Sequence, residues 1–184
     1  MQYLTKEQII EAAEKIFNSF TQACTESNEV SFFQHPPGKW SVAENVRHLV
    51  VSTNTSTLAY TLPAFIVRWM AGKPNRQSRS YEELVDKYKS KLAAGGKASG
   101  RFVPPTMDLK YGREKLLQQW NIATAKFIAA LKNKTSETKL DDYLVRHPLL
   151  GRITLRELCY FTIYHTEHHL NIINHLNLPA AGRP

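Results

Sequence analysis

The sequence contains few cysteines and no long hydrophobic run, and these two shortages exclude several classes of protein. Its 184 residues include two cysteines, Cys24 and Cys159. Both fall at apolar positions of helical patterns, where a buried and unreactive thiol is expected. No run of about 18 uncharged apolar residues is present, and the N-terminal residues lack the basic and apolar regions of a signal peptide. We therefore expect a cytoplasmic protein without disulfides and without a membrane partner.

An excess of basic residues does not by itself indicate a nucleic-acid partner. The net charge is +8, but the lysines and arginines are spread along the chain, and their densest groups lie at 73–79 and 87–91. No helix-turn-helix, zinc-finger or aromatic-basic RNA-binding pattern accompanies them. We interpret the positive charge as a solvated surface and expect no nucleic-acid partner.

Strand patterns are missing as well, because no alternating apolar and polar runs lie between turn residues. Four segments instead carry apolar residues at helical spacing. They cover about 5–24, the region after 41, 113–133 and the region after 154. The length suits one domain over 1–184, and the pattern predicts an all-α fold. We expect a four-helix bundle with long connections and a short extra helix, about 80–93, between helices two and three.

Three of the predicted helices begin at capping boxes, in which a Ser or Thr and a Glu or Gln three residues later bond each other's backbone N–H groups. The pairs are Thr5 with Gln8, Ser41 with Glu44, and Thr154 with Glu157. Trp40 precedes the second box, where it could form a hydrophobic staple. Pro63 should disturb the second helix, because its ring removes a hydrogen-bond donor and crowds the preceding turn.

A glycine-rich segment at 95–100 lies in the least regular part of the chain. It lacks the Gly-x-x-x-x-Gly-Lys-Ser/Thr order of a phosphate-binding loop, and no predicted strand precedes it. We interpret it as a mobile loop.

Two histidines of the last predicted helix, His165 and His169, lie four residues apart. At this spacing they share one face of the helix, about 40° apart around its axis and roughly 6 Å along it. Such a pair can occupy two positions of a divalent metal and needs further ligands from a facing helix. His168 and His175 lie roughly 140° to 160° away around the helix, so we do not expect them to share the site.

His48 is the candidate third ligand. It lies on the flank of the apolar stripe of the second helix, which suits a side chain facing a cavity between helices. The alternative is a partly exposed or hydrogen-bonded histidine without a ligand. The presence of the pair on the last helix favours the metal-binding interpretation.

The chain resembles the DinB superfamily of four-helix-bundle proteins, which includes metal-dependent hydrolases and bacterial low-molecular-weight-thiol transferases. The resemblance extends in helix order over nearly the whole chain. It is carried by residues 39–49, 147–151, 154–157 and 165–169. It implies a bundle of the DinB type. It also implies that a histidine of the second helix and the pair of the last helix bind a divalent metal, zinc or nickel, which here means His48, His165 and His169.

A metal ion held by three neutral nitrogen ligands would keep a coordination position open for a reacting molecule. Zinc held this way lowers the pKa of bound water to about 7, which makes hydrolysis available. The open position can also bind and ionise a low-molecular-weight thiol, which makes thiol transfer available. We expect an enzyme with a small-molecule substrate. The alternative is a non-catalytic metal- or ligand-binding bundle, a sensor or scaffold, whose site would be closed by a fourth protein ligand.

A metalloprotease of the His-Glu-x-x-His type is not supported. In that motif the glutamate directly follows the first histidine, whereas Glu167 is two residues after His165 and on the opposite side of the helix. Glu44, one turn before His48, could orient a ligand or act as a base, but its capping box explains it. No catalytic residue is predicted. The residues leave the identity of the metal open, since imidazole ligands suit zinc, nickel, copper and iron alike, and the resemblance favours zinc or nickel. A homodimer is compatible with the sequence.

Overall fold

The computed structural model describes residues 3–177, and besides two 3-10 turns, at 100–102 and 109–111, this part of the chain contains eight α-helices and two short strands. In chain order they are α1 Lys6–Glu26, α2 Glu29–Phe33, α3 Val42–Thr61, α4 Ala64–Ala71, α5 Tyr81–Ala93, α6 Arg113–Lys134, α7 Lys139–Asp142, β1 Leu144–His147, β2 Gly151–Thr154 and α8 Leu155–Asn177.

The four longest helices form the predicted bundle. Each of α1 and α3 packs against both α6 and α8, so α1 and α3 lie across the bundle from each other. Helix α5 packs against α8 from outside the four and is the predicted extra helix between the second and third. The all-α expectation is confirmed. The interface of α3 with α8 brings the second predicted helix next to the last.

The centre of the bundle is filled by aromatic side chains from three helices. Phe17 and Phe20 of α1 pack against the ring of Trp120 on α6, with ring centroids 5.4 and 4.9 Å apart. Phe127 of α6 contacts Tyr60 of α3 edge-on at 5.7 Å. Each fully buried aromatic ring contributes about 1.5–3 kcal/mol through removal of apolar surface from water. This packing fixes α1 and α3 against α6.

The helix boundaries follow the local chemistry of the sequence. All three predicted capping boxes are present, and Ser80 with Glu83 forms a fourth at the start of α5. Helix α3 ends at Thr61, and Pro63 directly precedes α4. The predicted disturbance at the proline is therefore a complete break between two helices.

Two short strands are present, although the sequence shows no strand pattern. β1 and β2 form an antiparallel hairpin that pairs Leu144 with Thr154 and His147 with Gly151. Each strand is four residues long, which is too short for an alternating pattern to be recognised. Gly151, the first residue of β2, has a φ of +75°, which only glycine adopts readily.

Both cysteines are free and buried, as predicted. Burial raises the pKa of the Cys159 thiol to about 12 and raises that of Cys24 as well, so both remain protonated and unreactive. Among residues 3–177, no helix has the length and apolarity needed to cross a bilayer.

A buried carboxylate ties the start of α8 to the connection between α4 and α5. Glu157 is fully buried and accepts hydrogen bonds from the guanidinium groups of Arg76 at 2.7 Å and Arg79 at 3.1 Å. It also accepts the backbone N–H of Thr154 at 2.9 Å. Burial alone would raise the pKa of this carboxyl, but the hydrogen bonds from Arg76 and the backbone hold it below its ordinary value. Glu157 thus stays charged and fixes where α8 begins.

Replacing Glu157 with Ala should lower the free energy of unfolding by about 3–5 kcal/mol, because two guanidinium groups would lose their buried partner. Urea denaturation followed by circular dichroism measures the change. Glu14→Ala is the matched control, since Glu14 pairs with Lys132 at an exposed site and should cost less than about 1 kcal/mol. Equal effects of the two substitutions would contradict the role assigned to Glu157.

Candidate metal centre

The three histidines singled out in the sequence meet at one point between α3 and α8. The Nε2 atom of His165 lies 3.0 Å from Nε2 of His48 and 3.2 Å from Nε2 of His169. One nitrogen from each ring falls within 4.8 Å of the other two. Each of these residues is only 5% exposed. The structure therefore brings together the predicted set.

An oxygen atom contacts the other ring nitrogen of each histidine. His48 Nδ1 donates to the backbone carbonyl of Phe102 at 2.6 Å, and His169 Nδ1 donates to Asn45 Oδ1 at 2.6 Å. His165 Nδ1 lies 3.3 Å from Ser52 Oγ. Partners of this kind fix the orientation and the tautomer of a metal-binding imidazole.

The tautomers of two rings follow from these contacts. A carbonyl oxygen can only accept, so His48 carries its proton on Nδ1. The amide of Asn45 is oriented because its Nδ2 donates to the carbonyl of Ser41 at 2.8 Å, which leaves Oδ1 to accept from His169. The Nε2 atoms of His48 and His169 are therefore unprotonated, and both lone pairs are directed at His165.

This arrangement fits a metal ion better than a set of hydrogen bonds. A proton on His165 Nε2 could satisfy only one of the two facing lone pairs, whereas a cation among the three nitrogens satisfies all of them. Two nitrogens that are each about 2.1 Å from a metal, at angles of about 90° to 110°, lie about 3.0–3.4 Å apart. The two separations from His165, 3.0 and 3.2 Å, agree with this range, and the three ligand nitrogens all lie within 4.8 Å of one another. The three buried histidines could thus bind a metal ion.

The protonation state is also the one that metal binding needs. Burial lowers the pKa of His165 and His169 well below the ordinary value, and the neighbouring imidazoles lower it further. Burial lowers the pKa of His48 too, although the hydrogen bond to Phe102 opposes the shift. All three rings are neutral near pH 7, and only the neutral imidazole is a ligand.

Aromatic rings surround the cluster. The ring of Trp40 lies 5.0 Å from that of His48 and is parallel to that of His169 at 6.3 Å. Phe161 stacks on His165 at 4.8 Å. The sequence interpretation of Trp40 as a hydrophobic staple missed this role. A hydrophobic staple needs an apolar side chain at the fourth position of the helix, and in α3 that position is the polar Asn45. This mismatch is the signal in the sequence that Trp40 has another role.

A cavity of about 1090 Å³ opens beside the cluster. Parts of α3, α5, α8 and β1 line it, together with the glycine-rich region 96–103. That region, interpreted from the sequence only as a loop, supplies both a wall and the carbonyl of Phe102. The sequence gives no signal for this contact, because it depends on a backbone atom.

The remaining candidate residues lie outside the cluster. His168 and His175 line the cavity but do not contribute to the group of three, in agreement with the prediction from helical geometry. Glu167 accepts a hydrogen bond from Tyr81, and Glu44 forms its capping box. Within residues 3–177, no Cys, Asp or Glu joins the three histidines.

Acid should destabilise the metal-free protein through these three histidines. Their pKa values lie below 6.5 in the folded state, so below that pH the unfolded chain binds protons that the folded protein does not. The free energy of unfolding then falls as the pH falls from about 7 to 5, by up to about 1.4 kcal/mol per pH unit for each imidazole.

Urea denaturation of chelator-treated protein across this pH range measures the effect. His165→Ala should show a shallower pH dependence than the wild type, and the exposed control His175→Ala should keep the wild-type dependence. An unchanged dependence in His165→Ala would show that this ring does not carry the effect.

The sequence model of the DinB superfamily matches residues 9–173. No curated protein and no solved structure matches the chain significantly. The match covers the four bundle helices, from the first turn of α1 to the last turns of α8, and includes all three clustered histidines. The chain belongs to the DinB superfamily.

Proposed function

We propose that this protein is a divalent-metal-dependent enzyme that acts on a small molecule, by hydrolysis or by thiol transfer. His48, His165 and His169 are the metal ligands, and zinc or nickel is the metal. One observation carries the proposal: three Nε2 atoms converge beside a cavity, within a described structure that offers no fourth protein ligand. Structural zinc sites are closed by four protein ligands, whereas catalytic sites keep one position open.

The protein residues around the ligands hold the site in a single geometry. Asn45 and the carbonyl of Phe102 fix two of the rings, which keeps their lone pairs on a common point. Trp40 and Phe161 pack beside the imidazole rings of His169 and His165, and these two histidines are buried. When bound, the metal would act as a Lewis acid that polarises a carbonyl or lowers the pKa of a bound water or thiol.

The residues that line the cavity limit how hydrolysis and thiol transfer could each proceed. Neither cysteine of the chain lines the cavity, so a thiol used in transfer would come from a bound cofactor. No Asp or Glu is found among the described lining residues either. Proton transfer in hydrolysis would therefore depend on histidines of the wall, such as His168.

Metal binding tests the ligand set directly. We expect about one zinc or nickel ion per chain after purification from metal-supplemented cells and after reconstitution. His48→Ala, His165→Ala and His169→Ala should each reduce the bound metal severely, because two imidazoles alone form a weak site. Elemental analysis and competition with a chromophoric chelator measure content and affinity.

His168→Ala is the matched control, since His168 lines the same cavity without joining the cluster, and its metal content should equal that of the wild type. Equal and negligible metal in all proteins would refute the ligand set. Normal metal content in the wild type, with the open position blocked by a fourth ligand, would favour a non-catalytic sensor or scaffold.

Asn45→Ala should weaken metal affinity by about 10- to 100-fold, because partners of this kind orient a ligand without touching the metal. Asn54→Ala on the exposed side of the same helix is the control and should leave the affinity unchanged. The same competition assay measures both variants. An affinity equal to that of the wild type in Asn45→Ala would show that His169 needs no positioning.

A further inference from the structure

The loop of the β1–β2 hairpin holds a histidine in one tautomer. His147 Nδ1 accepts the backbone N–H groups of Leu149 and Leu150, each at 3.2 Å. Because Nδ1 accepts two hydrogen bonds, the proton of the neutral ring lies on Nε2. The ring also packs on Phe161 with centroids 4.2 Å apart. The backbone and an aromatic neighbour thus fix both the position and the protonation of this imidazole.

Among residues 3–177, the Nε2–H group of His147 has no hydrogen-bond partner. No described residue forms a hydrogen bond with this atom, yet the atom remains accessible to solvent. The ring lines the same cavity as the three clustered histidines, and Phe161 contacts both His147 and His165. The cavity wall therefore includes a rigid hydrogen-bond donor, and one aromatic ring, that of Phe161, separates it from His165.

Burial lowers the pKa of His147 to about 4, and the positive charge of Lys87 contributes to the shift. The ring is consequently a neutral donor near pH 7. A neutral imidazole can polarise or orient an oxygen atom without exchanging its proton.

The charged groups of the wall are all of one sign. Lys39, Lys97 and Arg146 line the cavity, and no Asp or Glu does so among the described residues. None of the three forms an ion pair within residues 3–177. Arg146 donates its Nε to the carbonyl of Met70 at 3.0 Å, and no residue among 3–177 accepts a hydrogen bond from its two terminal nitrogens. An anionic ligand would find three counter-charges here, and a cationic ligand would find none.

We propose that the cavity binds small carboxylates and that His147 is a specificity-determining residue, which donates its Nε2–H to the carboxylate oxygen of the ligand. The proposal rests on the proposed function in taking the cavity as the substrate site. The aromatic side chains of the wall suit an apolar body on the ligand, and the cations and His147 suit its anionic end.

Three probes of nearly equal shape test the charge preference: 3-phenylpropanoate, 3-phenylpropanamide and 3-phenylpropylamine. Ligand-observed NMR titration at pH 7.5 measures their affinities for chelator-treated protein, so that no metal contributes to binding. We expect the carboxylate to bind about tenfold or more tightly than the ammonium probe. Equal or tighter binding of the ammonium probe would overturn the assignment of substrate class.

Two substitutions at one position separate the donor of His147 from its role in the hairpin. His147→Asn places an oxygen near the Nδ1 position and can still accept the loop N–H groups, but it removes the distal donor. His147→Gln keeps an N–H group near the Nε2 position. Carboxylate affinity should fall about tenfold or more in the Asn variant, and by a smaller factor in the Gln variant. Unchanged affinity in the Asn variant would overturn the role of His147.

The cations are tested separately by the double variant Lys97→Gln, Arg146→Gln. It should weaken binding of the carboxylate probe while leaving the amide unaffected, and Lys126→Gln on the exposed face of α6 is the control. These measurements do not depend on metal. Carboxylate binding that depends on His147, in a protein that fails to bind zinc or nickel, would refute the metal proposal alone. Normal metal binding without a carboxylate preference would refute only this inference.

Discussion

The mutual orientation of three buried imidazoles is the constraint on which the site depends. Unprotonated nitrogens repel one another when their lone pairs face a common point, and His48 and His169 are held in this arrangement by acceptors behind each ring. The bundle supplies the force that opposes the repulsion, because α3 and α8 are fixed by packing against α1 and α6. Glu157 adds to this by fixing the start of α8. The fold thus holds several nitrogen lone pairs close together, and a bound cation would offset their mutual repulsion.

Much of this architecture follows from the sequence because it depends on local chemistry. Capping boxes mark the starts of α1, α3 and α8, Pro63 marks the end of α3, and the spacing of His165 and His169 places both on one face. His48 could be found because its helix carries a regular apolar stripe, from which the facing side of the helix is predicted. Each of these features involves residues within one or two helical turns of each other.

The features that escaped prediction depend on contacts between distant parts of the chain. The hairpin has strands too short to show a pattern, and His147 acquires its fixed tautomer only when the hairpin forms. The nearest neighbours of Trp40 in the sequence indicate a residue that precedes a helix, although its ring lies against His48 and His169. The charge of the cavity wall is also a tertiary property, since Lys39, Lys97 and Arg146 are remote from one another in sequence.

The hydrogen bond from His48 to Phe102 spans 54 positions of the chain and ends on a main-chain oxygen. Every amino acid offers the same oxygen, so the side chain at this position is free to change during evolution as long as the backbone path is preserved. Selection would then act on the length and shape of the loop and would leave little trace in the identity of its residues. Relatives of this protein can therefore diverge in the sequence of this loop and still share the same support for the histidine at position 48.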